Sequence, residues 1–201
     1  MTEAVRDGTA DDLESMTGAL VSAFHDDPVM LYMLDKPANR DRKMRALFVS
    51  EAKRAMKKGS VLTTADGPAK GAAIWSAPGN WKLGGVELLG QIPLLFGLGL
   101  STPRALGLLS QMEKVHPTEP HWYLAILGTA TEHQGKGVGS ALMDPILKKC
   151  DSEGIPAYLE SSKESNIPFY NRHGFEVTGE VHAKNGPTLW PMWRDPRPPE
   201  S

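Results

Sequence analysis

WYLAILG (122–128) runs without a break into TATEH (129–133), QGKGVG (134–139) and SALMDPILKKC (140–150). The first seven residues are apolar and include aromatic and β-branched side chains. They read as a buried strand, far too short to cross a bilayer. Gly135, Gly137 and Gly139 follow, and glycine lets a chain turn sharply and lets a phosphate approach backbone amides without a Cβ in the way. From Val138 the apolar residues fall at Leu142, Met143, Ile146, Leu147 and Cys150, which is a helical period. The glycines therefore open a helix whose first N–H groups lack partners. Free amides, the positive end of the helix dipole and the charge of Lys136 together suit an anion.

Other phosphate loops fit less well. A Walker A loop requires G-x-x-x-x-G-K followed by Ser or Thr, but Ala130 holds the leading position and Gly137 follows Lys136. A dinucleotide fingerprint is spaced G-x-G-x-x-G, whereas these glycines alternate. The plain alternative is a tight strand-to-helix loop with no ligand. What tips the balance is Gln134 in front of the glycines and, some thirty residues on, NIPFY (166–170) followed by Gly174-Phe175.

Q-x-x-G-x-G (Gln134, Gly137, Gly139) and N-x-x-x-Y with the later G-F (Asn166, Tyr170, Gly174, Phe175) resemble, in this order, two motifs of the GNAT acetyltransferase superfamily. Residues 119–194, through EPHWYLAILGTATEHQGKGVGSALM, LESSKESNIPFYNRHGFEVTGEV and GPTLWPMWR, are similar to puromycin N-acetyltransferases of actinobacteria. The N-terminal half matches more loosely, through AFHDDP (23–28) and Glu119-Pro120. The resemblance implies a mixed α/β fold with a central, mostly antiparallel twisted sheet flanked by helices and splayed at the acetyl-CoA strand. It implies acetyl-CoA as co-substrate and a small-molecule amine as acceptor. Gln134, Gly135, Lys136, Gly137, Val138, Gly139 and Ser140 would form the pyrophosphate cradle, with Asn166 a further contact. Backbone groups around Leu127 and Thr129 would hold the pantetheine arm, and Gly128 would suit the bulge that the family places in this strand. Thr131 stands where many members carry proline, and Thr129 where an aliphatic residue is usual. Both departures fall where the donors are backbone groups.

Tyr170 is the candidate general acid for the leaving thiolate. A phenol near pKa 10 and a thiol near about 8.5 are close enough for proton transfer. Asn166 and Tyr170 lie four apart, on one helix face; packing against Phe169 is the alternative use of the ring. Glu160 is the first choice of base, directly or through water, against an ordinary paired strand-end carboxylate. An α-amino acceptor, with a pKa of roughly 8, would need little help. His25, Asp26, Asp27 and Tyr32 could meet the acceptor or simply end a helix before Pro28, and His133 reads as positional. A non-catalytic acyl-CoA sensor and a protein or peptide acetyltransferase are the competing functions.

The remaining composition agrees. A chain of 201 residues, 40% apolar, can bury one core, so residues 1–195 read as a single acetyltransferase domain followed by a disordered tail, 196–201. A net charge of −2 without a basic, aromatic cluster argues against nucleic-acid binding. The lone Cys150 lies on the apolar face of its helix and reads as a buried small hydrophobe. Six scattered histidines and no cysteine cluster give no metal site, and His116, His121 and His182 read as surface or satisfied polar residues. The polar opening MTEAVRDG is no signal segment, so a cytoplasmic enzyme, monomer or homodimer, with no membrane span, is expected, of an antibiotic-resistance type.

Along the chain, strands are predicted at 4–6, 60–65, 70–76, 122–128 and 157–161, with 175–181 and 188–194 as a closing hairpin. Helices are predicted at 9–24 with Thr9 as N-cap, 37–58, and from 137 with a kink at Pro145. A further helix over NIPFY is capped by Ser165 and ended by Gly174. The apolar, glycine-rich stretch within 79–119 reads as a helical insert: core packing, a lid on the acceptor pocket, or a surface patch.

Overall fold

The computed structural model describes residues 3–34, 37–82 and 102–197. In chain order the elements are β1 (Val5–Asp7), α1 (Leu13–Ala23), α2 (Pro28–Met33), α3 (Arg40–Lys58), β2 (Gly59–Thr64), β3 (Gly71–Ser76), α4 (Thr102–Val115), β4 (Trp122–Thr129), α5 (Val138–Glu153), β5 (Ala157–Ser161), α6 (Ile167–Arg172), β6 (Glu176–Val177), β7 (Val181–His182) and β8 (Thr188–Arg194). The strands run in the order β1-β2-β3-β4-β5-β8-β6, with β7 also on β8. All neighbours are antiparallel except β4 and β5. This is the mixed, mostly antiparallel α/β sheet expected of the sequence.

The alternation of the central strands explains the layers. In β2 and β3, Leu62, Ala73 and Trp75 face α5, where they meet Leu142, Met143, Ile146, Leu147 and Cys150. Val61, Ala72 and Ile74 face the other way, against Met16 and Leu20 of α1 and Met44, Phe48 and Ala52 of α3. Successive side chains on a strand point to opposite faces, so helices on both faces require apolar residues at every position. Every residue of β3 is buried accordingly. Cys150 is buried in the first of these layers, and burial pushes its thiol up to about 12, as suits a small core residue.

Several local expectations need correction. The helix predicted at 9–24 begins as a 3-10 turn, Ala10–Asp12, where the Thr9 N–H donates to the Asp12 carboxylate at 2.9 Å. After the turn that ends α1, a short helix, α2, starts at Pro28, which the sequence did not show. The bulge of β4 lies at Ala125: Ile74 pairs with Ile126 and Trp75 with Leu124, while Gly128 pairs regularly with Ala72. Gly128 has a different reason to be glycine, since a Cβ there would stand 2.8 Å from Leu20 Cδ2 and 3.0 Å from Ala23 Cβ of α1. Ser165 sits inside a 3-10 turn, Glu164–Asn166, and Asn166 takes the N-cap position of α6. The strand expected over 175–181 is two short pieces, β6 and β7, with Thr178–Glu180 between them. Arg197, placed in the disordered tail, donates its N–H to Asp151 at 2.8 Å. Of the insert, α4 is described, and residues 83–101, with most of the apolar stretch, lie outside the described residues.

Candidate active site

The parallel pair β4–β5 is joined only at Trp122–Ala157 and Tyr123–Tyr158. Beyond Tyr123 the strands diverge, and the wedge is flanked by the loop after β4 and the 3-10 turn after β5. Its mouth lies at the glycine loop. Gly135 and Gly137 adopt φ of 71° and 85°, in the left-handed region, with nothing within 4 Å of where a Cβ would stand. A Cβ on Gly139 would meet Phe169 Cζ at 3.3 Å. The first bond of the helix to its loop runs from the Ala141 N–H to the Gly137 carbonyl at 3.0 Å, so the amides of Val138, Gly139 and Ser140 have no helical acceptor. The Gln134 side-chain amide donates to the Thr129 carbonyl at 3.1 Å, which ties the loop back to the end of β4. Ser140 Oγ lies 3.0 Å from His173 Nε2.

The wedge opens into a cavity of about 1110 Å³ that reaches from Gln134, Gly135 and Gly137–Ser140 past Leu127, Gly128 and Thr129 to Asn166, Tyr170 and Glu160. Its far walls come from α2, α3 and α4, through Met30, Leu47, Leu108, Leu109 and Met112. Tyr170 is buried, its ring edge-on to Phe169 at 5.2 Å, and no hydrogen bond holds its hydroxyl among the described residues. Burial, then the nearby Asp27 carboxylate, pushes the phenol well above 10. Asp27 is itself buried: its Oδ1 accepts from the N–H groups of Val29 and Met30 at 2.9 and 3.0 Å, capping α2, and its Oδ2 accepts from Ser162 at the end of β5.

Residues 106–195 match the family pattern described as the acetyltransferase (GNAT) domain. An uncharacterized N-acetyltransferase of Schizosaccharomyces pombe is 30% identical, over 96% of this chain and 82% of that protein. The chain belongs to the GNAT acetyltransferase family. It is therefore an acyltransferase enzyme. Among solved structures, one described as histone acetyltransferase HPA2 and related acetyltransferase from Corynebacterium glutamicum is 26% identical, with a TM-score of 0.71 and full coverage of both chains. The PaiA N-acetyltransferase of Thermoplasma acidophilum, solved in complex with coenzyme A, shares the fold at 14% identity, with a TM-score of 0.60 over 97% of this chain and 99% of that one.

The cavity is lined by most, not all, of the positions singled out in the sequence. Lys136 is outside the cavity lining, its Nζ donating to the Glu132 carbonyl at 2.8 Å. The polar group at 25–32 disperses: His25 faces Asp41 at 3.9 Å, Asp26 pairs with Lys163 at 2.7 Å and the Tyr32 hydroxyl donates to the Lys184 carbonyl. Only Asp27 of that group reaches the cavity. His116 and His121, read as surface or satisfied polar residues, are buried and hydrogen-bonded to each other, with ring nitrogens 3.0 Å apart, beside Glu160. Nothing in a five-residue loop spacing signalled that contact; it depends on how α4 packs onto the end of β5.

Proposed function

We propose that this GNAT enzyme transfers an acetyl group from acetyl-CoA to the amine of a small, largely apolar molecule. The observation that carries the reading is the single cavity joining the unpartnered helix amides at one end to Tyr170 and Glu160 at the other. The glycine loop fits a pyrophosphate: where a side chain would crowd it, Gly135 and Gly137 leave open space, and the amides of Val138, Gly139 and Ser140 face no competing acceptor in the helix. Acetyl-CoA, when bound, supplies the thioester carbonyl that is attacked and the thiolate that leaves. In this reading Leu127 and Thr129 offer backbone groups along the splayed edge of β4, and Asn166 closes the opposite side.

Tyr170 keeps its proton at all working pH values, and its raised pKa widens the gap to a thiol beyond that of a free phenol. It is thus best suited to hold the departing sulfur by hydrogen bonding as negative charge grows there, the phenol keeping its proton. Glu160 is the base toward the amine. The Met and Leu side chains of α2, α3 and α4 favour an aromatic or aliphatic body on the acceptor, for which puromycin is one candidate and antibiotic inactivation one role. Residues 1–195 act as one catalytic unit, in the cytoplasm where acetyl-CoA is made.

The test is acetyl-CoA-dependent release of free thiol with puromycin, phenethylamine, tyramine and a lysine peptide, wild type beside Tyr170→Phe. We expect turnover with a small amine, and a kcat lower by about 100-fold in the variant with acetyl-CoA affinity kept. Tight acetyl-CoA binding without turnover would favour a sensor; turnover of the peptide alone would favour a protein acetyltransferase.

A further inference from the structure

Glu160 sits at the inner end of the cavity with its side chain 2% exposed, and Oε1 has no hydrogen-bond partner among the described residues. A carboxylate taken from water without donors is expensive to keep charged. The other cavity carboxylates are provided for. Glu51 pairs with Arg54 at 2.9 Å, Glu113 with Lys82 at 3.1 Å, and Asp27 caps α2. Around Glu160 stand His116, whose Nδ1 is 3.6 Å from Oε1 and whose side chain is equally buried, and the phenols of Tyr123 and Tyr158.

Hydrogen-bond bookkeeping fixes the protons of the two histidines. The Glu119 carbonyl can only accept, so His121 Nδ1, 2.6 Å away, carries a hydrogen. Burial holds His121 toward its neutral form, which leaves its Nε2 as an acceptor. His116 Nε2, 3.0 Å from it, must then donate. The remaining nitrogen of His116, Nδ1, is the position that can gain or lose a proton, and it faces Glu160. His116 is held in this orientation by stacking on Trp81 at 3.6 Å between ring centres. Of the other groups facing the pair, the phenols of Tyr123 on β4 and Tyr158 on β5 are pushed up by burial and then by the charge of Glu160, so neither competes for the proton.

We propose that Glu160 and His116 work as one proton-accepting pair: Glu160 Oε1 takes the proton, and His116, oriented by His121, is the buried partner that faces it 3.6 Å away. The proposal rests on the acetyl-transfer reading for its substrate. With the pair at net charge −1, the acceptor ammonium gives one proton to it: an N–H bond breaks, an O–H or Nδ1–H bond forms, and the electron pair stays on the amine nitrogen for attack. The pair is then neutral, as acid plus imidazole or carboxylate plus imidazolium. His116 is a positioning residue in this scheme, acting through Glu160.

The experiment is histidine-labelled ¹⁵N NMR across pH on wild type and Glu160→Gln, alongside kcat/KM against pH for wild type, His116→Gln and His116→Phe. In wild type, His121 should appear as the Nδ1–H tautomer, and the ring ¹⁵N signals of His116 should change when Glu160 is replaced by glutamine. Both His116 variants should lose at least tenfold in kcat/KM at pH 7 with acetyl-CoA affinity unchanged. The deficit should shrink as pH rises and the amine deprotonates unaided. His116 ring signals indifferent to Glu160→Gln, an Nε2–H tautomer for His121, or a loss of activity that is the same at every pH overturns the proposal. A response of His116 to Glu160→Gln in an enzyme that acetylates no amine leaves the Glu160–His116 pair standing and overturns the acetyl-transfer reading instead.

Discussion

Gly128 carries a burden at the scale of one atom. A Cβ there would press on Leu20, Ala23 and Phe24 at 2.8 to 3.0 Å, and of these Ala23 has no rotamer with which to give way. Gly128→Ala should therefore push α1 off β4 and cost about 1–3 kcal/mol, read as a lower urea midpoint with an unchanged m-value. Because Ala23 and Phe24 also line the cavity, the same change should weaken acceptor binding. The sequence marked Gly128 as special but assigned the wrong cause, a bulge. The true cause is an approach between residues more than a hundred positions apart, which no local pattern encodes. Gly135 and Gly137 were legible because their requirement, a left-handed turn before a helix, is local. His116 and His121 were not, since only the docking of α4 brings them to Glu160.

At the scale of elements, α5 and β8 are locked by one ion pair. Arg194, 3% exposed, donates through Nη1 and Nη2 to the two carboxylate oxygens of Asp151, each at 2.8 Å, and its Nε donates to the His173 carbonyl. Removing one partner strands the other, so Asp151→Ala should cost about 3 kcal/mol in chemical denaturation. The Arg194 guanidinium holds the Asp151 carboxyl below the usual carboxylate range. The sign follows directly: its contribution is complete above the unfolded value near about 4 and is lost as pH falls through the lower native value. Wild type should thus lose stability in that acid range more steeply than Asp151→Ala. Elements with a clear period, α3, α5 and the β2–β3 hairpin, were readable from sequence. The short α2 was not, because PVMLYM (28–33) is too brief to show a helical repeat. Its start depends on the Asp27 cap, which also reaches across to Ser162.

Across the whole molecule, the sheet is continuous through β1–β4 and again through β5, β8 and β6, but the two parts meet in only two residue pairs. The wedge is thus also a thin backbone seam between the two halves of the sheet. A long ligand seated along β4 takes the place of the absent strand pairing, and in mechanical terms it becomes a splice between two half-sheets. Folding cooperativity then depends on cargo. Acetyl-CoA at a hundred times its dissociation constant should add about 2.7 kcal/mol to unfolding. Amide exchange should slow on both banks of the seam, at Leu124–Thr129 and at Leu159–Ser161 together. Without cargo, the β5–β8 half is expected to open at lower cost than the β1–β4 half, so that the supply of bound ligand should set the protein's lifetime as well.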